Sequence, residues 1–116
     1  MPINRNIFLL PLLVLALLAH AQPSSYSAKS IDQHSDKADK YLTDLNFRES
    51  LRYSREALKQ AIALKDNFRI AYAYNTIAGN YDELSENDKA IYYYNKGLSY
   101  ANKTDNDTLS RHTRLL

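Results

Sequence analysis

The side chains that most often carry out chemistry are sparse in this chain of 116 residues, which has three histidines and no cysteine. Without a thiol there can be no thiolate nucleophile, no disulfide framework and no cysteine zinc site. His20, His34 and His112 are far apart, and neither His34 nor His112 has a second ligand three or four residues on, the spacing that sets two ligands on one helical turn. Asp36 and Asp39 share a helical face near His34, but a charge-rich stretch of this kind reads as solvated. No serine stands in a glycine-rich elbow. Gly79 and Gly97 fall within helical stretches rather than in a phosphate-cradling loop. The run Tyr92-Tyr93-Tyr94 cannot form one stacking platform, because successive helical residues point about 100° apart. Tyr94 is expected in the core, Tyr93 at an edge or against a neighbouring unit, and Tyr92 in solvent. The residues therefore predict a protein that is not an enzyme, with no metal site and no cofactor.

With catalysis set aside, composition bounds what remains. The formal charge of +2 is too balanced for a nucleic-acid binder working by bulk electrostatics, and the length suits one small domain. Two glycines, three prolines and ten tyrosines describe an ordered, helix-rich chain. The apolar uncharged run 7–19 follows Arg5 and ends at Ala19-His20-Ala21. It is too short for a bilayer-spanning helix, which needs ~20 apolar residues, but has the length of a secretory h-region followed by small residues at a cleavage site. Residues 1–21 are thus expected to be a signal peptide removed between Ala21 and Gln22, and to be the chain's only membrane contact. No cysteine follows the run, which excludes a lipid-acylated form. Residues 22–30, polar and without periodicity, are expected to be a flexible linker.

From Ile31 onward the pattern is helical, broken by polar clusters at 45–47, 65–67 and 85–88 that suit turns and N-caps. Helices are expected over 31–44, 48–64, 69–84 and 88–103. Tyr74, Ile77, Ala78, Tyr81 and Leu84 make one face of the third, and Ala90, Ile91, Tyr94, Leu98 and Ala101 one face of the fourth. Shifting the chain by 40 residues pairs Tyr41 with Tyr81, Leu51 with Ile91, Tyr53 with Tyr93, Leu58 with Leu98 and Ala61 with Ala101. Small residues coincide too: Ser50 with Ala90 and Ala57 with Gly97, positions where helices can cross closely. A match at a fixed period that includes bulky and small positions points to a helical repeat.

These residues resemble the tetratricopeptide repeat (TPR) family. Tyr74 stands at the family's Trp place, Ile77 at its Leu, Ala78 at its Gly, Tyr81 at its Tyr, Ala90 at its Ala, Tyr94 at its aromatic and Gly97 at its second Ala. Asn102 replaces the helix-ending Pro, which fits a longer repeat of about 40 residues. The unit 31–68 keeps Ala38, Tyr41, Phe47, Ser50 and Ala57, with His34 at the Trp place and Ser54 at the aromatic one. The resemblance implies an all-α fold: two antiparallel helix hairpins, 31–68 and 69–108, stacked as a short right-handed solenoid. Residues 109–116 would then begin an incomplete third repeat. The open C-terminal face would be covered by continuation of the array or by self-association.

In that family the first helix of each unit lines a concave groove that takes peptides or partner helices. Carried over, the groove residues are Asp32, Ser35, Asp39, Tyr72, Asn75, Gly79, Asp82 and Glu83, an acidic surface suited to a cationic or neutral polar partner. The bland alternative is that these are only solvated faces. The resemblance implies a non-enzymatic protein–protein interaction module in a Gram-negative cell envelope, periplasmic or secreted, whose partner is a protein or peptide and not a nucleic acid. The alternative is a truncated N-terminal sensory segment of a histidine kinase or of a repeat-bearing transcriptional regulator.

Overall fold

A computed structural model describes residues 26–114, with side chains through residue 105. The signal segment, the cleavage site at Ala19, Ala21 and Gln22, and residues 22–25 lie outside the described residues. Four helices follow one another: α1 (Ala28–Thr43), α2 (Phe47–Ala63), α3 (Asn67–Glu83) and α4 (Asn87–Arg114). Among the described residues there is no strand.

The helix starts are set by short polar side chains. Ser27 Oγ accepts from the Ser30 N–H at 3.0 Å, Asn46 Oδ1 from Glu49 N–H at 3.4 Å and Asp66 Oδ1 from Arg69 N–H at 3.1 Å. Each satisfies a first-turn donor that has no partner within its helix. The three connections are copies of one turn, 20 residues apart. In each, one residue adopts the left-handed conformation: Leu45 at φ 58°, Lys65 at 54° and Ser85 at 58°. The following amide reaches back to close the helix, Asn46 N–H to Tyr41 O, Asp66 N–H to Ala61 O and Glu86 N–H to Tyr81 O, all within 2.8–3.0 Å. This is a Schellman closure in which Leu, Lys and Ser stand where glycine would be unstrained.

Turns this tight fold each helix back on its predecessor, and the cross-helix bonds give the directions. Ser30 at the start of α1 bonds Gln60 at the end of α2, and Asn80 at the end of α3 bonds Ser50 at the start of α2, so α2 is antiparallel to both neighbours. Helix α3 packs between α2 and α4 and also touches α1. Ile31, Ala57, Ala61, Ile70 and Ala73 form one core cluster, with Leu58, Tyr74 and Tyr100 against it; Ile77, Tyr81 and Ala90 form the other. The interior is built largely from alanine, which permits close helix approach. A polar layer crosses it: buried Asn80 donates Nδ2–H to Ser50 Oγ and to Thr76 O at 2.8 Å, while its buried Oδ1 has no partner among the described residues.

The 40-residue period is visible in space. Tyr41 stacks on Tyr53 with ring centroids 5.6 Å apart, and Tyr81 stacks on Tyr93 at 5.5 Å, so the same pair ties each hairpin together. Gly97 does serve close approach: a Cβ there would lie 3.2 Å from Ala71 O and 2.3 Å from Asn75 Oδ1.

Three expectations need correction. The linker expected over 22–30 ends before residue 28, because Ser27 caps a helix that starts at Ala28. The third repeat expected from residue 109 does not begin there, since α4 runs on to Arg114. The segment contains no glycine or proline to stop it, and each added residue gains a backbone hydrogen bond. Finally, Tyr94, Ile91 and Leu98, expected in the core stripe of the fourth helix, are exposed. The helix is rotated so that Ala90, Tyr93 and Gly97 face α3, and no described helix covers the flank that carries Ile91, Tyr94 and Leu98.

Candidate partner-binding face

The parallel pair α1 and α3 brings side chains 37 residues apart in sequence into contact. Arg69 follows the N-cap Asp66 by three residues, so its guanidinium can reach back, and Nη1–H donates to Asp66 Oδ2 at 2.8 Å. Its other edge makes a two-pronged pair with Asp32 on α1, Nε–H to Oδ1 and Nη2–H to Oδ2, both 2.8 Å. The pairing holds the Asp32 carboxyl below its usual range, chiefly through the hydrogen bonds from Arg69, and raises Arg69 through its bonds to Asp32 and Asp66. Both side chains keep contact with water, so the pair fixes geometry more than it adds stability.

Two turns further along, Asp39 accepts from Tyr72 Oη–H and from Thr76 Oγ1–H, the latter at 3.2 Å. The bond to Asp39, then partial burial and the negative charges of Asp39 and Asp36, push the Tyr72 phenol up to about 12. Tyr72 is therefore a fixed, neutral donor across the physiological range. Four residues before it on the same face stands Phe68, 62% exposed, and together they form an aromatic ridge along α3.

An open depression lies on each side of this ridge, each of about 210 Å³. Asp32, Ser35, Asp36 and Arg69 line the one towards α1. Ala71, Asn75, Ala101, Thr104 and Asp105 line the one towards α4. Apart from Arg69, every charged residue lining the two is a carboxylate. A ridge of exposed rings bordered by acids offers contact area with a preference for positive charge, through ring faces and carboxylates alike.

Of the residues expected in the groove, the structure joins Asp39 to Tyr72 and sets Asp32 and Ser35 beside them. Asn75 stands on the other side of the ridge, against Gly97 of α4. Gly79 faces Leu42, and Asp82 and Glu83 are exposed at the far end of α3, outside both depressions. Phe68, Arg69 and Thr76 were not foreseen. Phe68 could have been found from its place four residues before Tyr72, and Arg69 from its spacing to the capping Asp66. His34 belongs elsewhere: Nδ1–H donates to Ser30 O at 2.7 Å and its ring tilts against Tyr53 at 6.0 Å.

No family model matches the chain, and neither the curated proteins nor the solved structures hold a significant match to it.

Proposed function

We propose that this chain is a non-enzymatic protein–protein interaction module: a short solenoid of the tetratricopeptide type, exported to the bacterial cell envelope, that holds a cationic segment of another protein on the inner face of α1 and α3. The observation that carries the reading is the exposed Phe68–Tyr72 ridge with Asp36 and Asp39 beside it, held in place by the Arg69–Asp32 pair and the Tyr72–Asp39 bond. The Tyr72 ring, fixed by its bond to Asp39, loses little freedom on binding, and the acids at the border of the ridge favour lysine and arginine over acidic chains. The hydrogen-bonded restraint of Tyr72 is what separates this face from a merely solvated one.

The test is capture in the native envelope with a photoreactive residue at position 68, with and without the double reversal Asp36→Lys and Asp39→Lys. The reading expects one set of cross-linked partners, lost on reversal, while reversal of Asp82 and Glu83 at the far end has the smaller effect. Partners unchanged by Asp36→Lys with Asp39→Lys would refute it.

A further inference from the structure

The internal repeat shows what the exposed flank of α4 lacks. Forty residues earlier, its residues correspond to Leu51, Ser54, Leu58 and Ala61 of α2, and all four are fully or half covered. Helix α3 covers them, setting Ile70, Ala73 and Ile77 into that side of the sheet-like layer of helices. The corresponding flank of α4 stands open: Ile91 is 59% exposed, Leu98 57% and Tyr94 42%. The opening continues through Ala101 to Phe68, because Ala101 shares a depression with that ring.

The two ends of the stack are unlike. The face of α1 that corresponds to the packing face of α3 carries Gln33, Lys37 and Lys40, all exposed. A head-to-tail array of copies would bury these lysines against Ile91 and Leu98 without partners, which is costly. An apolar end that cannot be covered by the opposite end can be covered by itself. Aromatic side chains bury ~150–250 Å² each, so the exposed fractions of Ile91, Tyr94, Leu98 and Phe68 leave on the order of 400 Å² of apolar surface per chain. That is about half of the ~800 Å² per partner of a standard interface, the usual apolar share.

We infer that the exposed flank of α4 seats a second copy of this chain in a two-fold dimer, α4 against antiparallel α4, centred between Tyr94 and Asn95. This register sets each Ile91 against Leu98 of the other copy and leaves Asp105 past the start of the other α4, which begins at Asn87, rather than opposite an acid. Asn87, Asn95 and Asn102 supply an uncharged polar rim. The inference shares Phe68 with the partner-binding face but uses no contact of Asp36, Asp39 or Tyr72, and its mass and disulfide readouts are separate from capture at position 68.

The test uses the absence of native cysteine. Asn95→Cys lies next to the proposed axis and Lys37→Cys at the opposite end of the stack, each introduced into the full chain and oxidised in the expressing cells. The dimer predicts a disulfide-linked species of twice the monomer mass for Asn95→Cys and none for Lys37→Cys. Light scattering of the unsubstituted protein at tens of micromolar should give the dimer mass, and Ile91→Lys with Leu98→Lys should weaken association at least tenfold with helix content unchanged. Should that double variant fail to fold, the other two measurements decide alone. A monomer mass, an Asn95→Cys disulfide only to another protein, or, when the two variants are expressed together, a mixed disulfide between positions 95 and 37 that reports a head-to-tail array would each overturn the inference.

Discussion

The two glycines lie in helix interiors, yet alanine at the two sites should act in opposite directions. A Cβ built at Gly79 meets only Leu42 Cδ2 at 3.4 Å, an ordinary contact. Gly79→Ala therefore gains the helix-propensity difference of ~1 kcal/mol with nothing to offset it. At Gly97 the same atom would stand 2.3 Å from Asn75 Oδ1 and 3.2 Å from Ala71 O. The Asn75 amide can swing out towards solvent, but the Ala71 carbonyl belongs to the α3 backbone and yields only if the helices separate. Overpacking of this kind costs ~1–3 kcal/mol, so after the propensity gain Gly97→Ala should lose about 1 kcal/mol. For a domain of this size 1 kcal/mol corresponds to roughly 4–8 °C in Tm, so thermal melts by circular dichroism should move up for Gly79→Ala and down for Gly97→Ala. Truncating the obstructing side chain supplies the control. In an Asn75→Ala background the closest contact is gone but the Ala71 carbonyl remains, so most of the ~1 kcal/mol cost of Gly97→Ala should persist. Gly97→Ala stabilising as much as Gly79→Ala would refute the close crossing of α3 and α4.

Lys65→Gly, at φ 54° in an exposed turn, should raise the urea midpoint by the equivalent of about 0.5–1 kcal/mol, since relief of the left-handed strain outweighs the added freedom of the unfolded chain. Ser50→Ala should cost ~1–3 kcal/mol in the same assay, because it strips an acceptor from the buried Asn80 amide, whose Oδ1 is already unpaired among the described residues. In ultraviolet titration the tyrosine that ionises near pH 12 should vanish in Tyr72→Phe. As the folded pKa is raised from 10.0 to about 12, its contribution is complete below pH 10 and lost as pH climbs towards 12. Asp32 is shifted the other way, so its contribution is present above pH 3.8 and lost as pH falls; Asp32→Asn should flatten the acid limb of the stability curve by less than ~1 kcal/mol.

Helix positions and hairpin pairing were legible because they rest on local chemistry repeated at a fixed spacing. Asn46 and Asp66 mark helix starts, and the 40-residue shift that aligns Tyr41 with Tyr81 and Tyr53 with Tyr93 reappears as two stacked pairs. The left-handed turn residues were not legible, since Leu45 and Lys65 carry no glycine signature and the closure around them pays for the conformation. An apolar stripe says which residues seek cover but not whether a helix is present to provide it, which is why Ile91, Tyr94 and Leu98 were placed inside. The candidate face was half legible: Asp39 and Tyr72 were found, but the Arg69–Asp32 pair and the Phe68 ridge depend on the parallel offset of α1 and α3, which no single helix pattern contains.

The claim that the inner face of α1 and α3 selects positively charged partners is tested most directly by residue-resolved NMR, titrating the protein with two synthetic peptides of equal length, one rich in lysine and arginine, the other in glutamate. The account predicts saturable shifts at Asp36, Asp39, Phe68 and Tyr72 with the basic peptide, weakened by salt, and none there with the acidic one. Equal responses to both peptides, or shifts confined to α2 and the outer side of α4, would contradict it.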